Sequence, residues 1–161
     1  MKEVKAYIPH REPFLFVDEI VELNDKSIIT RKHIGRQEYF FKGHYPGYPV
    51  MPGVLMCEAI MQSGAILIAH CQEKDLMGDV PVVTKINNVK FKNMVLPDSD
   101  MEIHVELTDK ISSAYYLKGK AFVNSKVAVS LDFACALVKK EESKKEKNKT
   151  EENNKGEDTP R

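Results

Sequence analysis

One long apolar segment limits what this chain can fold into more than any other feature. Between residues 53 and 70, twelve of eighteen residues are apolar, and they point to every side of a helical wheel. A helix of that kind has no face to give to water and must be surrounded by other parts of the protein. Pro52 and Gly53 suit a helix start, and only scattered Ile residues interrupt its good helix formers. Glu58 and Gln62 break the apolar run, which is also short for a membrane span, so a core helix is expected.

Strands are expected to surround it. Residues 14–23 and 26–34 are apolar-rich and are separated by Asn24-Asp25, a turn signal, which predicts a hairpin. Met101, Ile103, Val105 and Leu107 alternate with Glu102, His104 and Glu106, the period of a half-buried strand. Val127, Val129, Leu131, Phe133, Cys135 and Leu137 line one face of a last strand, and residues 81–92 and 113–123 supply two more. The predicted order is strand, strand, helix, then four strands. Short connections force antiparallel pairing, because a parallel pair needs a long crossover. A sheet curled around the helix covers one side of it, so a second copy, making a dimer, or else a larger local loop is expected to cover the other.

The folded part is expected to end near residue 138. From 139 to 161 there is no Val, Ile, Leu, Phe, Tyr, Met or Ala, and such a charged segment cannot offset roughly 1–2 kcal/mol of ordering cost per residue. Residues 1–138 therefore read as one domain and 139–161 as a solvated tail. Lys plus Arg and Asp plus Glu both number 24, so there is no basic surplus of the kind that holds nucleic acid. Cys57, Cys71 and Cys135 are too few and too irregular for a disulfide framework or a zinc site, and the odd count fits a reducing compartment. The first residues lack the apolar stretch of a secretory signal, which gives a cytoplasmic expectation.

Three positions hold the parts of a proton-transfer site. Glu58 lies on the apolar helix, where a carboxyl must be paired or protonated, and protonation is what a general acid needs. Gln62, one turn later, is placed to hydrogen-bond it. His44 sits in F-K-G-H-Y-P-G-Y-P-V-M-P-G, among glycines and prolines that fix a loop path, and an imidazole there suits a base. Gly53 opens the helix, where the first amides lack intrahelical partners and carry the positive end of the dipole. An acid, a base and an oxyanion donor together suffice to move a proton beside a carbonyl. His10, His33, His70 and His104 read as ordinary surface or capping residues, and no metal-ligand spacing links them.

The stretches I-P-H-R-E-P-F-L-F-V-D (8–18), G-H-Y-P-G-Y-P-V-M-P-G followed by E-A-I-M-Q (43–62), and V-K-F-K (89–92) resemble the (3R)-hydroxyacyl-acyl-carrier-protein dehydratases of type II fatty acid synthesis. The resemblance runs through nearly all of residues 1–138. It implies an α+β hotdog fold, an antiparallel sheet wrapped around one central helix, and a dimer with a composite active site. It also implies His44 and Glu58 as the catalytic pair, one from each subunit, with the Gly53 N–H on the thioester carbonyl. No cofactor or metal is implied. The implied partners are acyl carrier protein and a second copy of the chain, with trimers of dimers common among such enzymes.

Two departures from that pattern stand out. The related dehydratase/isomerase branch has Asp in place of Glu58 and usually Cys in place of Gly43, so this chain points to simple dehydration. The usual P-G-D is here Pro97-Asp98-Ser99, which is expected to alter a turn. Helix residues and the Phe91 strand are candidates to line a tunnel for an acyl chain, but core packing is the commoner job of these residue types, so Phe91 and Met94 are left out of the site. Lys90 and Lys92, with Arg36 or Lys42, are candidates for steering an acidic carrier protein. Two other readings are a hotdog hydratase or thioesterase and a non-catalytic acyl-thioester binding or scaffold subunit; the presence of both His44 and Glu58 disfavours the thioesterase and the non-catalytic subunit.

Overall fold

The computed structural model describes residues 3–72 and 79–139, so the charged segment from 140 onward lies outside the described residues. Asn24 makes the expected turn: its Oδ1 accepts the backbone N–H groups of Lys26 at 2.9 Å and Ser27 at 3.0 Å. That turn joins β1 (Glu19–Leu23) to β2 (Ser27–Ile34), with Glu19 opposite Arg31. Residues 14–18, predicted as strand, lie instead in a loop that crosses the helix. A short helix α1 (Val4–Tyr7) and a 3-10 turn (Tyr39–Lys42) were also not anticipated.

The long helix α2 runs from Gly53 to Cys71, and the remaining strands come after it: β3 (Asp79–Phe91), β4 (Ser99–Ile111), β5 (Ala114–Val123) and β6 (Lys126–Lys139). All neighbours pair antiparallel, in the order β1-β2-β4-β5-β6-β3. Asn124 and Ser125, at φ 49° and 61°, make the tight left-handed turn that suits the twist of the β5–β6 hairpin. The path from β2 through α2 to β3 carries the chain to the far side of the sheet.

The helix packs on β2, β4, β5 and β6. Ile60, Ile66, Leu67 and Ile68 are fully buried, each side chain contributing about 1.5–3 kcal/mol. Gly64 lets the Phe133 ring approach closely, since a Cβ there would lie 2.6 Å from it. A buried hydroxyl pair, Thr30 Oγ1 and Ser63 Oγ at 2.8 Å, ties β2 to the helix, and Ser63 Oγ also donates to the Ala59 carbonyl. Length and composition alone would let this helix cross a membrane, but 67% of it is buried inside the fold, as in a core helix.

The expected reason for a dimer is not the one the structure offers. Twelve of the nineteen residues of α2 are buried within the single chain. Besides the sheet, the loop carrying Leu15, Phe16 and Val17 covers it. Exposed apolar surface lies instead on β3, an edge strand that among the described residues is bonded only to β6, where Val82, Ile86, Val89 and Phe91 are all solvent-accessible.

Candidate active site

His44 is held by a loop pinned at both ends. Phe40 and Phe41 are buried, and the His44 N–H bonds the Phe40 carbonyl at 3.0 Å. Gly47 then adopts φ 87°, which only glycine takes without strain, and the Met51 N–H bonds the Val95 carbonyl at 2.9 Å. Inside this loop His44 Nδ1 lies 2.9 Å from the Val50 carbonyl. A carbonyl can only accept, so Nδ1 carries the proton and Nε2 presents a lone pair in the neutral ring. That is the tautomer a base needs.

The N-terminus of α2 is next to it. Pro52 precedes the helix and supplies no side-chain cap, while Leu55 N–H is the first to bond back to the Pro52 carbonyl. The N–H groups of Gly53 and Val54 are therefore outside the helical ladder. His44 and Gly53 line one open, largely apolar groove of about 680 Å³, together with Val54, Phe91, Lys92 and Met94. Phe91 is 55% and Met94 58% exposed, so the expectation that they pack in the core is corrected. Their place beside the loop and the β3 end, rather than under the sheet, is what leaves them open. A Cβ on Gly53 would come within 2.7 Å of the Phe91 ring, so glycine is required there to admit Phe91.

Glu58 sits elsewhere on the helix. Five residues separate it from Gly53, about 140° of rotation, and it does not line this groove. It is half-buried rather than enclosed. Gln62, fully buried, fixes it as expected: Gln62 Nε2 donates to Glu58 Oε1 at 2.9 Å and to the Phe14 carbonyl at 2.9 Å. Gln62 Oε1 accepts the Phe16 N–H at 2.8 Å, which sets the orientation of the amide.

The residue missed in the sequence is His10. Its Nε2 lies 3.8 Å from Glu58 Oε1, and its Nδ1 is buried without a hydrogen-bond partner among the described residues. Burial holds the imidazole below its usual pKa; the Glu58 carboxylate opposes that shift and Arg11 adds to it. Arg11 Nη1 donates to the Ile8 and His10 carbonyls at 3.0 and 2.7 Å and so shapes this turn. No spacing rule joins position 10 to position 58, and only the P-H-R string within the longer resemblance could have drawn attention to it.

The Pro97-Asp98-Ser99 turn has a left-handed residue at its centre. Asp98 takes φ 60°, its N–H bonds the Ile34 carbonyl at 2.7 Å, and its carboxylate pairs with Arg36 Nε at 2.6 Å. Arg36 is thus engaged, whereas Lys42, Lys90 and Lys92 are exposed.

Comparison with known proteins identifies the fold and the family. A chain of the dehydratase heterocomplex ApeI:P from Xenorhabdus doucetiae superposes with a TM-score of 0.74 at 15% identity, over 86% of this chain and 92% of that one. Thioesterase superfamily member 2 from mouse gives a TM-score of 0.58 at 10% identity, over 73% and 80%. In sequence, the 3-hydroxyacyl-[acyl-carrier-protein] dehydratase FabZ of Caulobacter vibrioides is 42% identical over 137 residues, 84% of this chain and 86% of that protein. The protein of the same description from Clostridium perfringens is 38% identical over 137 residues, 85% and 97% of the two chains. The family model for the FabA-like domain matches residues 8–132, a span that takes in His10, His44, Gly53, Glu58 and all strands but the end of β6. With its hotdog sheet, its central helix and relatives this similar over most of their length, the chain belongs to the FabA-like family.

Proposed function

We propose that this protein is a 3-hydroxyacyl-[acyl-carrier-protein] dehydratase of fatty acid biosynthesis, with His44 as base and Glu58 as acid in a site shared between two copies. The relatives that match over most of both chains carry that activity in their names. The observation that carries the residue assignment is the His44 tautomer: a bare Nε2 beside the free amides of α2 in an apolar groove. His44 Nε2 takes the α-proton of the 3-hydroxyacyl thioester, and negative charge grows on the thioester oxygen. The Gly53 N–H stabilises that charge, aided by the helix dipole. The Cβ–oxygen bond then breaks, and Glu58 protonates the departing hydroxyl so that it leaves as water. A trans-2-enoyl thioester remains, and the proton on His44 returns to Glu58 through solvent.

Glu58 does not line the groove of its own chain, which favours pairing His44 of one copy with Glu58 of the other. The exposed apolar side chains on the free edge of β3 are suited to joining two sheets. Lys42, Lys90 and Lys92 are exposed beside or near the groove and offer charge to an acidic carrier protein. Residues 1–138 make the catalytic domain, and the charged composition of 139–161 suits a tail appended to it. A cytoplasmic setting fits three cysteines that remain free thiols.

The test is complementation between inactive variants. His44→Ala and Glu58→Gln are each expected to lose dehydration of 3-hydroxyacyl-acyl carrier protein, monitored by enoyl absorbance. Unfolded together and refolded as a mixture, they are expected to regain about a quarter of wild-type activity, because half the dimers then hold one intact site of two. No recovery places the pair within one chain. Near wild-type activity in either variant alone removes that residue from catalysis.

A further inference from the structure

We propose that His10 is a positioning residue for Glu58: with Gln62 it presents N–H donors to Oε1, so the proton that Glu58 delivers is carried on Oε2. The inference rests on Glu58 as the acid and adds to that reading which of its oxygens does the work, and what arranges it. Both neighbours address the same oxygen, Gln62 Nε2 at 2.9 Å and His10 Nε2 at 3.8 Å.

The Gln62 amide cannot be turned over. Its Oε1 already accepts the Phe16 N–H, so the group facing Glu58 is the amide nitrogen, a donor. The imidazole is constrained by its other end. His10 Nδ1 is buried and meets no partner among the described residues, so a proton there is a stranded donor, whereas a bare lone pair costs less. The single proton of the neutral ring therefore belongs on Nε2, facing Glu58. The charged groups acting on His10 are Glu58 from α2 and Arg11 from its own segment; burial, with Arg11 adding to it, outweighs Glu58 and favours the neutral ring. At 3.8 Å the contact is electrostatic in the free protein, and such contacts tighten when substrate closes the site.

With the Gln62 N–H bonded to it and the His10 N–H nearest to it, Oε1 is favoured as the acceptor over Oε2. A protonated Glu58 carries its hydrogen on Oε2, aimed away from Gln62 and His10. The two histidines near the site then hold opposite tautomers: His44 is protonated on Nδ1 and His10 on Nε2. One supplies a lone pair to substrate, and the other supplies an N–H to the acid.

The first measurement is long-range proton–nitrogen correlation on the 15N-histidine-labelled full chain near pH 8. It is expected to show His10 with a bare Nδ1 and His44 with a bare Nε2. The second compares His10→Leu with His10→Gln, whose amide nitrogen reaches nearly the place of Nε2. His10→Leu is expected to lower kcat about tenfold, the loss of one hydrogen bond to an acidic group, with KM within about twofold of wild type. His10→Gln is expected to restore most of that kcat.

His10 protonated on Nδ1, wild-type kcat in His10→Leu, or equal losses in both variants with a lowered Tm each overturn the proposal. If His10→Leu does not fold, the tautomer and the His10→Gln rate still decide it. If wild-type protein turns over no 3-hydroxyacyl thioester, the functional reading fails separately, while the tautomer still tests the His10 geometry.

Discussion

At the scale of single residues, chemistry here is set by what each polar atom can find to bond. His44 presents a bare Nε2 because a carbonyl occupies Nδ1, and Gln62 is fixed because three groups share its amide. Replacing Gln62 by Leu leaves the Phe16 N–H and the Phe14 carbonyl without it, and is expected to cost about 2–4 kcal/mol in urea unfolding as well as activity. Burial pushes the Cys135 thiol up to about 11, so iodoacetamide at about pH 8 is expected to leave it unlabelled in the native protein and to label it fully in denaturant. His10 gives a stability effect with a definite sign. Its pKa in the folded state lies below 6.5, so the unfolded chain binds the proton more readily. Stability is therefore expected to fall as pH drops below about 6.5, by a contribution that His10→Gln removes, measured as Tm against pH.

At the scale of elements, much was legible before any coordinates. The apolar run gave α2, alternation gave β4 and β6, and Asn24 marked the first hairpin turn. What was hidden is tertiary. Residues 14–18 have strand composition, but their Phe14 carbonyl and Phe16 N–H are taken by Gln62, a partner forty-eight and forty-six positions away. The same non-local geometry brings His10 near Glu58 and leaves Phe91 and Met94 open beside the groove, whereas His44 and Glu58 could be proposed as a pair because a long motif carries both. The turn at Asp98 shows how an element absorbs a change in residue type. Its left-handed backbone favours glycine, and Asp tolerates it while pairing with Arg36. Asp98→Ala is expected to destabilise by about 1 kcal/mol, and Asp98→Gly to stay within about 0.5 kcal/mol of wild type, by chemical denaturation. Likewise Gly53→Ala must displace the Phe91 ring, and is expected to reduce turnover with little loss of fold.

At the scale of the whole molecule, the edge of β3 is where the proposed dimer is expected to join. Ile86 is exposed there amid other apolar side chains, and Ile86→Lys is expected to give a monomer in sedimentation and to abolish turnover along with the shared site. That strand also measures the distance between the two ends of the sheet. Asp79, at its start, pairs with Lys139, while Phe91, at its finish, lies against Gly53 in the groove. Twelve residue steps of extended backbone separate them, about 40 Å. A tether joined after Lys139 therefore leaves from the end of the sheet remote from His44. A surface anchor placed directly after Lys139 is expected to leave the groove, at the other end of β3, facing the solution.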